Sequence, residues 1–531
     1  MTNQINIQSE NKFPRSGNDF YKLGIAMLFL IMVMLYTLIY QSGMPFLAFV
    51  TMIGGYMALN IGANDVANNV GPAVGSKALT LGGAIIIAAI FEASGALIAG
   101  GDVVSTINKG IIDPNLIADG NVFIMIMLAA LLGGALWLNI ATAVGAPVST
   151  THSIVGGIIG AGIVSSGLDI VNWATMAKIA ASWIISPLLG GFVAALFLYI
   201  IQDRIFHKED TLESAKKVLP FLIAIMGFAF ITYLALKGLK KIVKLDLTTA
   251  LFIGTLFGIV TYLIVKPLII KASKRLSNEK TDINKLFTMP LIFAAALLCF
   301  AHGANDVANA IGPVSAIYDT LESGEIAKNA AIPIWIMVIG ALGIALGLAI
   351  YGPKLIKTVG SEITDLDQTR AWAIAMASAI VVIIASSLGL PVSSTHIAIG
   401  GVFGVGYLRY YLYYKYQDEI EGVKAHHLKS INKKLSKWDN RLADLEDENE
   451  RTLLLNRIAI KKQELKTVKT NGEIKFTKKE TRKVAKIQRK QYIRGQVLVK
   501  IVTAWLVTVP MSALIGGILY YGISLMWAIE L

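Results

Sequence analysis

Residues 62–72 read GANDVANNVGP and residues 303–313 read GANDVANAIGP, with nine of eleven positions identical at an offset of 241. Each copy sets one carboxylate, Asp65 or Asp306, among amides and small residues. The surrounding chain of 531 residues is 55% apolar and only 16% charged, where a soluble domain carries about 25% charged residues. Apolar runs recur at Gly24–Tyr40, Phe123–Val144, Trp173–Ile201, Phe221–Leu236, Leu251–Ile270, Ile332–Tyr351 and Ile501–Trp527. With roughly 20 apolar residues needed per crossing, the chain reads as an all-α polytopic membrane protein with about 12 transmembrane helices. Lys12, Arg15 and Lys22 precede the first run, but no small-x-small cleavage pattern follows it, so it reads as a retained helix rather than a signal peptide. The single cysteine, Cys299, excludes an internal disulfide and any CxxC metal or redox site.

The repetition extends past the opening motif. PVSTTH at 147–152 returns as PVSSTH at 391–396, and KIAASWIISPLLGG at 178–191 has a looser echo in KIVTAWLVTVPMSALIGG at 500–517. The chain therefore divides into an N-terminal segment with an extra helix (1–43), a first repeat (44–201) and a linker with two spans (202–287). The second repeat follows in two parts, 288–412 and 498–531, split by a charged insertion at 413–497. That insertion holds 22 Lys/Arg against 12 Asp/Glu and so accounts for most of the formal charge of +13. Such a segment between membrane helices is a positive-inside signal, with contact to anionic headgroups a lesser possibility. No aromatic-interleaved patch accompanies it, so nucleic acid is not the expected partner. Leu428, Ile431, Leu435, Trp438, Leu442 and Leu445 form a heptad seam, and a second helical pattern runs through Leu455, Ile458, Leu465 and Val468. The insertion thus reads as a cytoplasmic helical hairpin.

Loop charges favour two inverted repeats with broken helices or hairpins at the midplane. If 413–497 is cytoplasmic, its counterpart at Ser165–Asn172 must lie outside, and it contains no Lys or Arg. Residues 202–217 and 271–285, with four and five Lys/Arg, then fall inside. Lys237, Lys240, Lys241 and Lys244 are the exception, placed outside.

A buried ionised carboxylate costs at least ~2.5–3.5 kcal/mol at the bilayer centre, so Asp65 and Asp306 require water, a partner or a cation. Asn64, Asn68 and Asn69 flank one and Asn305 and Asn309 the other. Gly62 and the pair Gly71–Pro72 are the expected helix breaks, which would free carbonyl oxygens. Carboxylate, amide and carbonyl oxygens together suit a small hard cation such as Na+; interhelical hydrogen bonding is the plainer role for the amides. In the second motif Pro147 is placed to open a half-helix. Ser149, Thr150 and Thr151, and in the other copy Ser393, Ser394 and Thr395, then crowd hydroxyls at a helix N-terminus. Unpaired N–H groups and the helix dipole favour an anion there, with ordinary N-capping the competing role. His152 and His396 read as structural, with donation to the site or proton transfer the alternative. Glu92 stands in an apolar run with no acid in the matching stretch at 333–338, which suggests a further cation or proton site, or a hydrogen bond to a neighbouring helix. Lys77 reads as a snorkelling side chain.

The two GANDVAN segments and the two PVS[ST]TH segments resemble the inorganic phosphate transporter family, the sodium- or proton-coupled phosphate permeases, over roughly residues 44–412 and 498–527. The resemblance implies a secondary active symporter that imports inorganic phosphate by alternating access, without a cofactor beyond the coupling ion. It assigns cations to Asn64, Asp65, Asn68, Asn305, Asp306, Asn309 and Glu92, with Na+ at Asp65 and Asp306 if sodium is the coupling ion. Phosphate falls to Ser149, Thr150, Thr151, Ser393, Ser394 and Thr395. Eukaryotic members carry a Glu where this chain has Ala375. A sulfate permease of the same fold is the alternative, followed by an anion channel and an intramembrane phosphatase. The expected setting is a lipid bilayer, the inner membrane of a bacterial-type cell, and a homo-oligomer is left open.

Overall fold

The structure, a computed structural model, describes residues 17–41, 44–117, 119–143, 148–238, 243–326, 332–362, 366–443, 448–470 and 495–530. Among the described residues there are no strands, only one isolated bridge between Ile112 and Val171, and eleven segments are long and apolar enough to cross a membrane. About 12 were expected; Thr150–Ser166, at 17 residues, is shorter than a full crossing. The chain forms two compact units, Met1–Val405 with Gly495–Leu531, and Gly406–Arg494.

In the first unit, α1 (Gly17–Tyr40) lies on α2 (Pro45–Asn64). The first repeat continues through α3 (Val66–Gly75), α4 (Leu81–Ala99), α5 (Gly101–Lys109), α6 (Gly120–Ala143), α7 (Thr150–Ser166) and α8 (Trp173–Ile201). The linker supplies α9 (Thr211–Tyr233), α10 (Leu247–Ser273) and the short α11 (Lys280–Leu286). The second repeat runs through α12 (Thr288–Asp306), α13 (Ala308–Ser323), α14 (Ile334–Glu362), α15 (Gln368–Ser387) and α16 (Ser394–Ala443), then α17 (Glu448–Thr470) and α18 (Gly495–Glu530).

Packing between the repeats is reciprocal: α2 lies on α14 and α12 on α4, and likewise α6 on α18 and α15 on α8. Small residues set these approaches, as membrane helices require. A Cβ on Gly62 would sit 1.9 Å from the Ile344 carbonyl oxygen, and one on Gly303 would sit 2.1 Å from that of Glu92. The matched pair makes Ile344, not the 333–338 stretch, the structural counterpart of Glu92; the second repeat holds extra residues after α13. Gly62 is therefore a packing position rather than a helix break.

Helix directions follow from contacts. Trp183 of α8 stacks on His152 at the start of α7, with ring centroids 3.9 Å apart, so α8 doubles back along α7. Along α7, Gly156 meets Val509 and Gly160 meets Ala513, so α18 runs with α7. Along α8, Pro187 meets Gly400 and Gly191 meets Gly404, so α16 starts out with α8. α7 and the opening of α16 therefore run in opposite directions from adjoining N-termini, which is the inverted arrangement.

Lys237 forms an ion pair with Asp102 at the start of α5; Lys240 and Lys241 lie outside the described residues. Lys77 closes the turn after α3 with φ 62°, its N–H donating to the Val74 carbonyl oxygen at 3.0 Å. In the second unit, Leu435 is buried with Leu454 and Ile458, and Trp438 and Leu442 pack beside them. At Leu435, Trp438 and Leu442 the seam of α16 thus has its partner in α17; Leu445 and the side chains of Leu428, Ile431, Leu465 and Val468 lie outside what the structure describes.

Candidate functional site

Both motif helices are interrupted by a single residue. Asp65 stands between α2 and α3, with φ −86° and ψ −36°, and Val307 between α12 and α13, with φ −56° and ψ −31°. The backbone thus stays close to helical, and the Asp65 carbonyl oxygen accepts from Asn68 N–H at 3.0 Å and Asn68 Nδ2 at 3.2 Å. Gly71 and Pro72 lie inside α3. Pro72 has no N–H, so the Asn68 carbonyl oxygen lacks its i+4 helical donor although the helix continues; beyond that the motif presents side chains.

The hydroxyl motifs start helices at Thr150 and Ser394, with Ser149 and Ser393 one residue before them. Ser149 Oγ accepts from His152 N–H at 3.2 Å and Ser393 Oγ from His396 N–H at 3.3 Å. Both serines therefore cap, each accepting through its oxygen and keeping its hydroxyl proton to donate. Pro391 stands before the cap rather than at the first helical position, and Pro147 lies outside the described residues.

The two motif types meet. Thr150 Oγ1 donates to Asp65 Oδ2 at 2.7 Å, and Thr395 Oγ1 donates to Asp65 Oδ1 at 3.3 Å. Asn68 Nδ2 donates to Thr395 Oγ1 at 2.8 Å, while Asn309 Nδ2 lies 3.1 Å from both Thr150 Oγ1 and Thr151 Oγ1. Amides of each repeat thus hold hydroxyls of the opposite repeat's hairpin around one carboxylate, all buried. Thr151 Oγ1 reaches across to the Val392 carbonyl oxygen at 3.0 Å, tying the two tips together. Asn64 and Asn305 play a bracing part: Asn64 Nδ2 donates to Thr142 at 3.4 Å, and Asn305 Nδ2 to Ser386 Oγ at 2.9 Å and to the Leu390 carbonyl oxygen at 3.2 Å.

Asp306 has a different environment. His302, one turn earlier, brings Nε2 to 2.9 Å from Asp306 Oδ2 and Nδ1 to 2.6 Å from Glu92 Oε2. Asn69 Nδ2 donates to Glu92 Oε1 at 2.9 Å. Glu92 therefore makes the hydrogen bond to a neighbouring helix and reaches the motif through His302. Asp65, His302 and Asp306 each offer one ligand atom, all within 4.8 Å of one another. Around them, Asn64 Oδ1, Asn68 Oδ1, Asn309 Oδ1, Ser394 Oγ and Asp306 Oδ1 are buried without a hydrogen-bond donor, and Asp306 Oδ2 has the His302 ring beside it. Such a concentration of orphaned acceptors beside two carboxylates is a configuration that a cation resolves.

His302 is the residue that sequence reasoning missed. It directly precedes Gly303, where the first copy has Ile61. That asymmetry between copies, read together with the unmatched Glu92, was the available signal. Trp183, His152, His396 and Trp505 form a continuous ring stack between the hairpins, with centroids 3.9, 4.6 and 3.7 Å apart. The two motif histidines are thereby packing elements at the join.

A family model described as the phosphate transporter family matches residues 61–516. A candidate phosphate permease of Helicobacter pylori strain J99 is 48% identical, with 97% of each chain covered. One from Pyrococcus furiosus is 43% identical over 69% of this chain and 88% of its own length. A solved structure described as the sodium-dependent phosphate transporter superposes with a TM-score of 0.71 at 31% identity, covering 90% of this chain and 99% of that one.

Proposed function

We propose that this chain, which belongs to the phosphate transporter family, imports inorganic phosphate across the cell's inner membrane by Na+-coupled alternating access. The family is one of transporters rather than enzymes, and the chain is an integral multi-pass membrane protein. The observation that carries the coupling is the meeting of Asp65, His302 and Asp306 beside orphaned acceptor oxygens, directly against the hydroxyls of Thr150 and Thr395.

In this reading Na+ sits between Asp65 and Asp306, with Asn64, Asn68 and Asn309 supplying amide oxygens. Without the cation, two carboxylates within 4.8 Å repel any oxyanion brought to the hairpin tips. With it, the Asp65 charge is compensated. Thr150 and Thr395 can then turn their hydroxyl protons from Asp65 to phosphate, joined by Thr151, Ser394 and the N–H groups of the two converging helix ends. Ser149 and Ser393 contribute by setting those ends. Cation first and anion second is the order that this chemistry imposes, and it is the basis of coupling. The likeness to a sodium-dependent transporter supports Na+ as the ion. The chain from Glu92 through His302 to Asp306 favours proton coupling as the second reading. Replacing Asp306 by Asn tests the assignment: uptake should be lost in a folded protein, and uptake at the wild-type rate would overturn it.

A further inference from the structure

The α9–α10 hairpin stands against α12 and α4 without closing on them. Between these helices lie two neighbouring cavities of about 330 and 450 Å³ that share Ile223, Val265 and Phe293. One ends at Phe91 and Phe230 and the other at Lys285, the one charged residue among those lining either cavity. Along α10 the lining runs from Phe257 to Ala272, about 22 Å at 1.5 Å per residue. One leaflet of hydrocarbon is about 15 Å deep, so the groove spans a leaflet and reaches its headgroup boundary.

At the Lys285 end the segment 271–285 carries Lys271, Lys274, Arg275, Lys280 and Lys285 against Glu279 and Asp282. Asp282 is already engaged, accepting from Lys285 Nζ at 2.6 Å and from Ser277 N–H at 2.9 Å and Oγ at 2.8 Å. Those bonds, that of Lys285 foremost, hold its carboxyl down to about 2. Lys271, Lys274 and Arg275 are exposed beside it. A narrow apolar groove among membrane helices that opens beneath basic side chains matches a lipid tail below a phosphate headgroup. We propose that it holds one acyl chain of an anionic glycerophospholipid, with the headgroup phosphate at the 271–285 end.

The dimensions decide against a helix of a second copy as the occupant. A helix is 10–12 Å across and over 22 Å would displace about 1,700 Å³, about twice the combined volume of the two cavities. The bound chain would brace α4 against α12. Phe91 adjoins Glu92, and Phe293, Ala296 and Leu297 lie on the helix that carries His302 and Asp306. The Glu92–His302 contact at 2.6 Å joins those same two helices.

The test uses the full chain reconstituted in bilayers of phosphatidylcholine with one quarter phosphatidylglycerol, followed by native mass spectrometry of retained lipid. Wild type should retain one phosphatidylglycerol per chain with at least tenfold preference over phosphatidylcholine. Val265→Trp, which fills the groove, should reduce retention of both lipids at least tenfold. The surface variant K271E/K285E should lose the headgroup preference while still retaining phosphatidylcholine, and it decides the matter if Val265→Trp does not fold. Equal retention of the two lipids by wild type, or unchanged retention in K271E/K285E, overturns the proposal. So does a wild-type dimer that Val265→Trp dissociates with no change in bound lipid.

Discussion

Replacing Asp306 by Asn keeps the size and the helical position of the side chain and removes one charge. The ligand atoms of Asp65 and Asp306 lie within 4.8 Å, so a cation midway sits about 2.4 Å from each carboxylate. At an effective dielectric of 20, each attraction is worth ~7 kcal/mol and the repulsion between the carboxylates ~3.5 kcal/mol. Losing Asp306 forfeits one attraction, while the repulsion, present with and without the cation, cancels from the affinity. The loss of about 7 kcal/mol corresponds to roughly 100,000-fold weaker cation affinity. The assay is thermal unfolding of detergent-purified protein in rising NaCl, with choline chloride holding ionic strength. For a ligand at 100 times its Kd, linkage predicts about 2.7 kcal/mol of stabilisation in wild type. In Asp306→Asn that response should vanish over the same range. A Na+ response of wild-type size in the variant would refute the reasoning.

Two further outcomes follow from the geometry. Thr150→Val removes the hydroxyl that donates to Asp65 at 2.7 Å and contacts the Asn309 amide. A hydrogen bond to a charged group is worth about 1.5–3 kcal/mol, so the KM for phosphate should rise about 10- to 100-fold, with Thr150→Ser near wild type; equal KM values for the two variants would contradict the role. Gly303→Ala brings a Cβ within 2.1 Å of a backbone oxygen, whereas Gly24 has nothing within 4 Å. The first change should lower the melting temperature, by about 1–3 kcal/mol of overpacking, and Gly24→Ala should leave it unchanged or raise it; a Gly303→Ala protein as stable as Gly24→Ala would contradict the α4–α12 contact.

Much of the site could be read because the chain states it twice. Duplication made Asp65 and Asp306, and the hydroxyls from Thr150 and Ser394 onward, stand out from an apolar background. What duplication cannot show is a residue that occurs once. His302 and Glu92 sit in opposite repeats and meet only because α4 packs on α12. The capping by Ser149 and Ser393 was ambiguous for another reason. A serine hydroxyl at a helix start can accept from the backbone and still donate its proton elsewhere, so the two uses do not exclude each other: at Ser149, with φ −90° and ψ 125°, the oxygen accepts from His152 N–H. Gly62 misled because a glycine beside a motif reads as a hinge, while here its missing Cβ admits the backbone of α14. The inverted arrangement was signalled by loop charge and is seen independently in the opposite runs of α7 and α16.

The central claim, that Na+ binding at the paired aspartates drives phosphate entry, is tested most directly by uptake of labelled phosphate into proteoliposomes. An inward Na+ gradient at equal pH is compared with an inward proton gradient in choline, with sulfate as competitor. The account predicts accumulation under the Na+ gradient alone, insensitive to excess sulfate. Accumulation driven by the proton gradient in the absence of Na+ would contradict it.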